Sequence, residues 1–224
     1  MNLTVDIEKA RFNMVEQQIR TWEVLDQEVL DLLFKVKRED FVPAPYRALA
    51  FADMEIPLGH GQAMMLPKVE ARIVQELAVR KTERVLEIGT GSGYLAALLA
   101  SRALEVVSVE IFPEFSTAAL EKLQRAGISN VVLRVGDGAR AQAAVVGAGG
   151  FDVIVLAGST PVLPNAFLDA LKPNGRLFAV VGDAPVMKAV LMTKTPAGSV
   201  ASTEVFETQL AALINAEQPE RFKF

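Results

Sequence analysis

The first eighty residues carry apolar side chains at helical spacing. The stripe runs over residues 6–21, recurs over residues 29–36 after the N-cap candidate Asp26, and recurs again over residues 68–80. Because positions three and four apart share one face of a helix, this pattern predicts three amphipathic helices. Residues 42–67 are broken by Pro and Gly, so we predict an irregular connection with short turns, the kind of long loop that often carries function.

After residue 80 the pattern changes to short apolar runs that alternate with helical stretches. The runs are rich in Val, Ile and Leu, as in strands of a parallel sheet that is buried on both faces. They cover residues 84–89, 105–110, 131–135, 151–158 and 175–182, with helices predicted near 93–102, 114–126 and 163–172. The repeated alternation predicts an α/β fold with a Rossmann-like, mostly parallel sheet and helices on both faces.

The remaining segments complete one predicted domain. Residues 186–208 have the pattern of two strands around a turn at 196–198, which predicts a C-terminal antiparallel hairpin, and the small residues of 139–150 predict a short helix and turn. We expect the N-terminal helices to form a layer over a cofactor cleft. The predicted parts are N-terminal helices and substrate loop (1–80), cofactor-binding core (81–183), and hairpin with tail (184–224).

Composition removes several classes of function. The chain has 23 basic and 27 acidic residues, spread evenly, so no arm for nucleic acid is expected. It has no cysteine, which excludes disulfides, thiolate metal sites and cysteine nucleophiles. No apolar run has the length of a signal peptide core or a membrane span. We therefore expect a soluble, cytoplasmic protein with no membrane partner and no metal site.

The strongest chemical signal is the run VLEIGTGSGY over residues 85–94. A buried strand leads directly into Gly89, Gly91 and Gly93 and then into an Ala-rich helix, and glycines there allow a tight turn and close approach of a ligand. Tyr94 occupies the position where a dinucleotide fingerprint needs its third glycine. The spacing therefore disfavours a nicotinamide or flavin cofactor.

Two carboxylates follow at the ends of the next two predicted strands. Glu110 could accept hydrogen bonds from both hydroxyls of a ribose, and Asp137, in VGDG over residues 135–138, could accept one from an adenine amino group. Because the carboxyl ends of parallel strands share one edge of a sheet, the sequence indicates a cofactor that contains a nucleoside. The alternative is that any doubly wound protein has glycines at strand ends.

The order of strand, ExGxGxG, acidic strand end and GD turn resembles class I methyltransferases that use S-adenosylmethionine. Several flanking segments are similar, in order, to the protein-L-isoaspartate O-methyltransferase family. They are NMVEQQIR (13–20), REDFVP (38–43), IPLGHGQ (56–62), VLEIGTGSGY (85–94), GDG (136–138) and LKPNG (171–175). The resemblance implies methyl transfer from S-adenosylmethionine to the free carboxylate of L-isoaspartyl residues in damaged proteins or peptides. It also implies a cofactor site formed by Glu87, Gly89, Thr90, Gly91, Ser92, Gly93, Glu110, Asp137 and Gly138. We expect a monomer or homodimer, and the sequence leaves the choice between them open.

The chain departs from this family just after residue 62. The family has Thr-Ile-Ser where this chain has Ala63-Met64-Met65, so Met65 occupies the position of the active-site serine. Two alternatives therefore stay open: a divergent methyltransferase with another small acceptor, and a catalytically silent protein that binds the cofactor. Met64 and Met65 could equally be ordinary core residues.

His60 and Gln62 are the other catalytic candidates. His60 is the only histidine, hence the only side chain with an ordinary pKa near neutrality, but it could equally hold the shape of its loop. Gln62 could bind a substrate carboxylate or peptide amide, or pin the loop. A carboxylate acceptor is already ionised at neutral pH, so its methylation needs no general base, whereas a phenol or amine would need one.

Overall fold

A computed structural model describes residues 7–140 and 150–219. The chain begins with a continuous helical segment whose winding changes along its length: α1 (Ile7–Asn13), a π-helical stretch (Met14–Ile19) and a 3-10 turn (Arg20–Trp22). Helix α2 (Gln27–Lys35) follows Asp26, whose carboxylate accepts a hydrogen bond from the Glu28 amide at 2.9 Å. The predicted N-cap is therefore present, and it satisfies one of the amides that a helix start leaves free.

The predicted irregular connection contains more order than the sequence indicates. Two 3-10 turns (Arg38–Asp40 and Ala44–Leu49) precede strands β1 (Ile56–Gly59) and β2 (Gln62–Met64), which pair antiparallel. We call these two strands and the turn between them the β1–β2 hairpin. Gly59, at the end of β1, and the turn residues His60 and Gly61 all have positive φ, with His60, the one that is not glycine, at 49°. This backbone geometry lets the strands reverse within so short a loop.

The sheet confirms the predicted class. Its strands are β3 (Arg84–Ile88), β4 (Glu105–Glu110), β5 (Val131–Val135), β6 (Phe151–Thr160), β7 (Leu171–Asp183), β8 (Val186–Lys194) and β9 (Val200–Glu207). The order is β5-β4-β3-β6-β7-β8-β9, with parallel pairing from β5 to β7 and antiparallel pairing of β8 and β9. The C-terminal hairpin is thus present at one edge of a mostly parallel sheet.

Helices pack on both faces of this sheet. They are α3 (Pro67–Leu77), α4 (Tyr94–Ala100), α5 (Pro113–Arg125) and α6 (Asn165–Asp169). Along β3, Val85 contributes to the core beneath the N-terminal helices, whereas Leu86 and Ile88 contribute to the opposite core with Phe167 of α6. Adjacent positions such as Val85 and Leu86 are both apolar because successive side chains enter two different cores.

One predicted helix is shorter than expected, and two predicted segments fall largely outside the described residues. The helix expected over 163–172 is only five residues long, because Leu171 already pairs with Phe151 as the first residue of β7. The helix and turn expected over 139–150 and the tail at 220–224 fall largely outside the described residues. Among the residues described, none of the helices is both long and apolar enough to cross a membrane.

Candidate active site

A cleft of about 880 Å³, a volume that includes space open to solvent, lies at the carboxyl ends of the parallel strands. One wall is the β1–β2 hairpin, through Gln62 and Ala63, together with Met65, which directly follows β2. The opposite wall follows the strand ends, where open α/β sheets bind their ligands. Of residues 7–80, the hairpin and its flanking residues Glu55 and Met65 line this cleft and the helices do not, so the expectation that the helical layer covers the cleft is wrong, and that layer packs on the sheet.

The glycine turn after β3 forms the floor of the cleft. Gly89, Gly91 and Gly93 all have positive φ, at 97°, 51° and 85°. A Cβ added at Gly93 would lie 3.0 Å from the Ala119 Cβ, and one at Gly91 would lie 3.3 Å from Leu58. Residues with a side chain rarely adopt these φ values, and at Gly93 the added Cβ would also be tight against α5, so the turn depends on glycine. Thr90 and Ser92, between the glycines, line a recess that adjoins the cleft.

The carboxylate of Glu110 is held in the wall by the backbone. It is buried, and its two oxygens accept hydrogen bonds from the amides of Gly91 at 2.8 Å and Phe112 at 3.0 Å. The bond to Gly91 joins the end of β4 to the glycine turn. Each carboxylate oxygen has a further lone pair, so Glu110 can still accept from a ligand hydroxyl.

Asp137 lines the same cleft at the end of β5. Its Oδ1 accepts from the Ala139 amide at 3.0 Å, and its Oδ2 accepts from the Asn215 side chain at 2.9 Å. Gly138 beside it also lines the cleft, and a Cβ there would lie 3.0 Å from Ile88. The structure therefore brings Glu110, Asp137 and Gly138 together as the sequence predicts.

Glu87 is close to the cleft but does not line it. Its side chain is fully buried and its Oε2 accepts from the Ser108 hydroxyl at 2.5 Å, which in turn lies 2.6 Å from the Thr90 hydroxyl. The other oxygen, Oε1, has no hydrogen-bond partner in the described part of the chain. Burial raises the pKa of Glu87 to about 8, so its carboxyl group is mostly protonated at neutral pH.

The structure separates the three catalytic candidates. Gln62 and Met65 line the cleft, and Met65 is itself only 7% exposed. His60 lies at the hairpin tip outside the lining: its ring stacks on Phe112 at 4.4 Å, and its Nε2 lies 2.5 Å from Glu114 Oε1. This position, at the start of α5, suits a contact that holds the hairpin closed better than a base within the cleft.

Sequence reasoning missed one whole wall of the cleft, which residues 210–214 form after β9. The amide of Ser159 donates to the Ala211 carbonyl at 2.9 Å, and the Leu213 amide donates to the Ser159 carbonyl at 2.9 Å. The segment therefore extends beside the end of β6. Its short-range sequence, LAALI, has no turn or strand signal that could have indicated this long-range pairing. Phe112 and Phe115 of the opposite wall were also missed.

The lining discriminates between cofactor classes. Its charged side chains are Glu55, Glu110 and Asp137, and among the described residues it includes no Lys, Arg or His. Carboxylates suit a cofactor with hydroxyl and amino donors and a positive charge, whereas the phosphates of a dinucleotide would be repelled. The glycine floor leaves room for close approach. S-adenosylmethionine fits this set of acceptors, because its ribose hydroxyls and adenine amino group are donors and its sulfonium is positively charged.

Comparison with known proteins gives a consistent result. The family model described as Protein-L-isoaspartate(D-aspartate) O-methyltransferase matches residues 9–218. A protein-L-isoaspartate O-methyltransferase of Methanoculleus marisnigri is 39% identical over 186 residues, covering 83% of each chain. Another, from Myxococcus xanthus, is 44% identical over 162 residues, covering 71% of this chain and 74% of that protein.

Solved structures agree on the fold. A Plasmodium falciparum chain described as a protein-L-isoaspartate O-methyltransferase in complex with S-adenosyl-L-homocysteine superposes with a TM-score of 0.76 at 18% identity, covering 92% of this chain and 97% of its own. A second protein-L-isoaspartate O-methyltransferase gives 0.73 at 24% identity, covering 92% and 65%. At these identities the likeness concerns the fold alone.

Proposed function

The chain belongs to the protein-L-isoaspartate(D-aspartate) O-methyltransferase family, and on that premise we propose that it methylates the free carboxylate of L-isoaspartyl residues in damaged proteins or peptides, with S-adenosylmethionine as the methyl donor. The observation that carries this proposal is the meeting of the glycine turn, Glu110 and Asp137 in one cleft with the β1–β2 hairpin and with Met65, which directly follows it. Such a reaction is part of protein repair.

Each wall of the cleft has a role in this proposal. Glu110 accepts hydrogen bonds from the ribose hydroxyls, Asp137 accepts one from the adenine amino group, and the glycine turn receives the methionine part. Thr90 and Ser92 supply hydroxyls in the adjoining recess. Glu87 acts from beneath, through Ser108, instead of touching the cofactor.

The chemistry asks little of the protein beyond placement. S-adenosylmethionine supplies an electrophilic methyl group bonded to its sulfonium sulfur. An oxygen of the acceptor carboxylate attacks the methyl carbon in line, the carbon–sulfur bond breaks, and S-adenosylhomocysteine leaves. Because the acceptor is already ionised, no side chain has to remove a proton. The chain contributes by holding the acceptor, through Gln62 and the backbone of residues 210–214, and by excluding water with apolar walls.

Met65 is the distinctive feature of this chain. Its thioether, with Ala63, makes the wall beside the acceptor apolar where the family has hydroxyl groups. A drier wall strengthens electrostatic attraction between the acceptor carboxylate and the sulfonium, but it removes a hydrogen-bond donor. The same feature favours the second candidate function, methylation of another small and more apolar acceptor.

The test compares two peptides that differ only in having an isoaspartyl or an ordinary aspartyl linkage. We expect transfer of labelled methyl to the isoaspartyl peptide alone, and we expect the variant with Thr-Ile-Ser at positions 63–65 to bind cofactor equally well. Turnover of neither peptide, but of other small carboxylates or phenols, would favour the second candidate. Cofactor binding by titration calorimetry without any transfer, reversed by the triple variant, would indicate a silent binding protein.

The oligomeric state and the cellular location stay predictions. We propose a monomer or homodimer that works in the cytoplasm, and sedimentation together with cell fractionation would test both statements. The division of the chain at residues 80 and 183 is likewise a prediction of the sequence.

A further inference from the structure

Arg38 is fully buried in the 3-10 turn Arg38–Asp40, far along the chain from the glycine turn. A buried guanidinium is costly unless its donors find partners, so its contacts show where it acts. One arm, Nη1, pairs with the Glu70 carboxylate in the first turn of α3. The other arm, Nη2, donates to the backbone carbonyl of Met65 at 2.7 Å.

Both arms end on groups of the transfer site. Met65 lines the cleft, and Met65 and Glu70 both line the adjoining recess together with Thr90 and Ser92. The guanidinium also lies over the ring of Tyr94, at 5.0 Å from its centroid, and Tyr94 begins α4 directly after the glycine turn. One buried cation therefore touches the hairpin end, the start of α3 and the start of α4.

From this geometry we propose that Arg38 is a positioning residue for methyl transfer: it fixes the backbone at Met65 and the carboxylate of Glu70, and thereby the acceptor side of the site. The proposal rests on the function proposed above. It adds that a buried guanidinium, bonded to both Met65 and Glu70, fixes the acceptor wall, which lacks the family hydroxyl. Arg38 lines neither the cleft nor the recess, so its loss should act on alignment.

The informative variant removes both charges of the pair. Arg38→Met alone would leave Glu70 buried without a partner and would destabilise the fold, so we choose Arg38→Met with Glu70→Gln. Arg38→Lys keeps the cation but has a single donor head, which cannot reach both partners in the same planar geometry. It should restore part of the activity that the double variant loses.

The chain offers a matched control at the opposite end of the sheet. Arg176 pairs with both carboxylate oxygens of Glu83 at 2.9 Å and also donates to backbone carbonyls, at 2.9 Å to Ala78. Arg176→Met with Glu83→Gln therefore removes the same kinds of bond without touching the cleft. Both double variants should lose thermal stability. Only the Arg38/Glu70 variant should lose the alignment of acceptor and methyl group.

Two measurements test the proposal. In the Arg38/Glu70 variant we expect kcat for the isoaspartyl peptide to fall by about tenfold to 100-fold with the cofactor Kd unchanged, because small misplacements cost that much in aligned displacements. Hydrogen–deuterium exchange at residues 62–66 should become faster in this variant and stay at the wild-type rate in the Arg176/Glu83 control.

Each result has a defined meaning. Wild-type exchange at residues 62–66, or wild-type kcat despite faster exchange, overturns the proposal, as does an equal loss of kcat in the control pair. If the wild-type protein does not methylate the peptide, the proposed function fails, and the exchange measurement still decides whether Arg38 anchors the hairpin.

Discussion

Replacing Glu87 by glutamine should abolish a pH dependence of folding stability. The Glu87 side chain is completely buried beneath the glycine turn, with one donor, the Ser108 hydroxyl, at 2.5 Å. Burial raises its pKa to about 8 from an ordinary value of 4.5, and the nearby charge of Glu110 adds to the rise. The native state therefore keeps a proton that the unfolded chain releases above pH 4.5.

The sign and size follow from proton linkage. Below pH 4.5 both states are protonated at this residue and its contribution to stability is complete; as pH rises towards 8 the unfolded state gains by ionising. The wild-type protein should lose about 1.4 kcal/mol per pH unit through this interval, relative to Glu87→Gln, or about 5 kcal/mol in all. A glutamine amide matches the neutral acid in shape and cannot ionise.

Urea denaturation of both proteins from pH 5 to pH 9 measures this difference. Glu83→Gln is the matched control, because hydrogen bonds from Arg176 and Arg80 keep the pKa of Glu83 below its ordinary value. Glu83 stabilises the folded protein above its unfolded pKa and loses that contribution only as pH falls. The difference in free energy of unfolding between the wild type and Glu83→Gln should therefore not change with pH above pH 5. A flat difference for Glu87→Gln as well would refute the reasoning.

Two further predictions concern the walls of the cleft. His60→Gln should leave kcat near wild type and speed cofactor dissociation in stopped-flow, because His60 stacks on Phe112 and pairs with Glu114 outside the lining; a loss of about 100-fold or more in kcat would instead make it an acid–base catalyst. Gly158→Ala should weaken cofactor binding measured by calorimetry, since the new Cβ would lie 2.9 Å from the Leu213 side chain and 3.1 Å from the Ala211 carbonyl. Unchanged affinity would show that the segment 210–214 can shift to accommodate the new Cβ without any effect on cofactor binding.

The parallel core follows from local sequence. Strands such as β3 and β4 have adjacent apolar residues, Val85 with Leu86 and Val106 with Val107, because both faces of the sheet are covered, and that pattern is visible without any contact being known. Once the strands are parallel, their carboxyl ends must share an edge, which brings Glu110 and Asp137 towards the glycine turn. The resemblance to the family rests on these same segments, and comparison with relatives confirms it.

Other features depend on pairing between distant residues. The β1–β2 hairpin turns at positive φ values, and its tip is held by Phe112 and Glu114, about fifty residues later in the chain. The segment 210–214 is held at the cleft by Ser159, through its backbone amide and carbonyl and through its hydroxyl, which donates to the Leu210 carbonyl at 2.9 Å. No local pattern carries such information, so the position of His60 and this wall could not be predicted.

The sequence by itself determined which glycines and carboxylates stand at the carboxyl ends of the strands, and it predicts from them a nucleoside cofactor, because this chemistry is a property of residue type and strand end. Only the tertiary structure decided how the acceptor side is built. Met65 is a substitution in the sequence, but its surroundings are a buried guanidinium from Arg38, a carboxylate from Glu70 and a late chain segment. These groups meet because folding buries charges in pairs, and pairing is long-range.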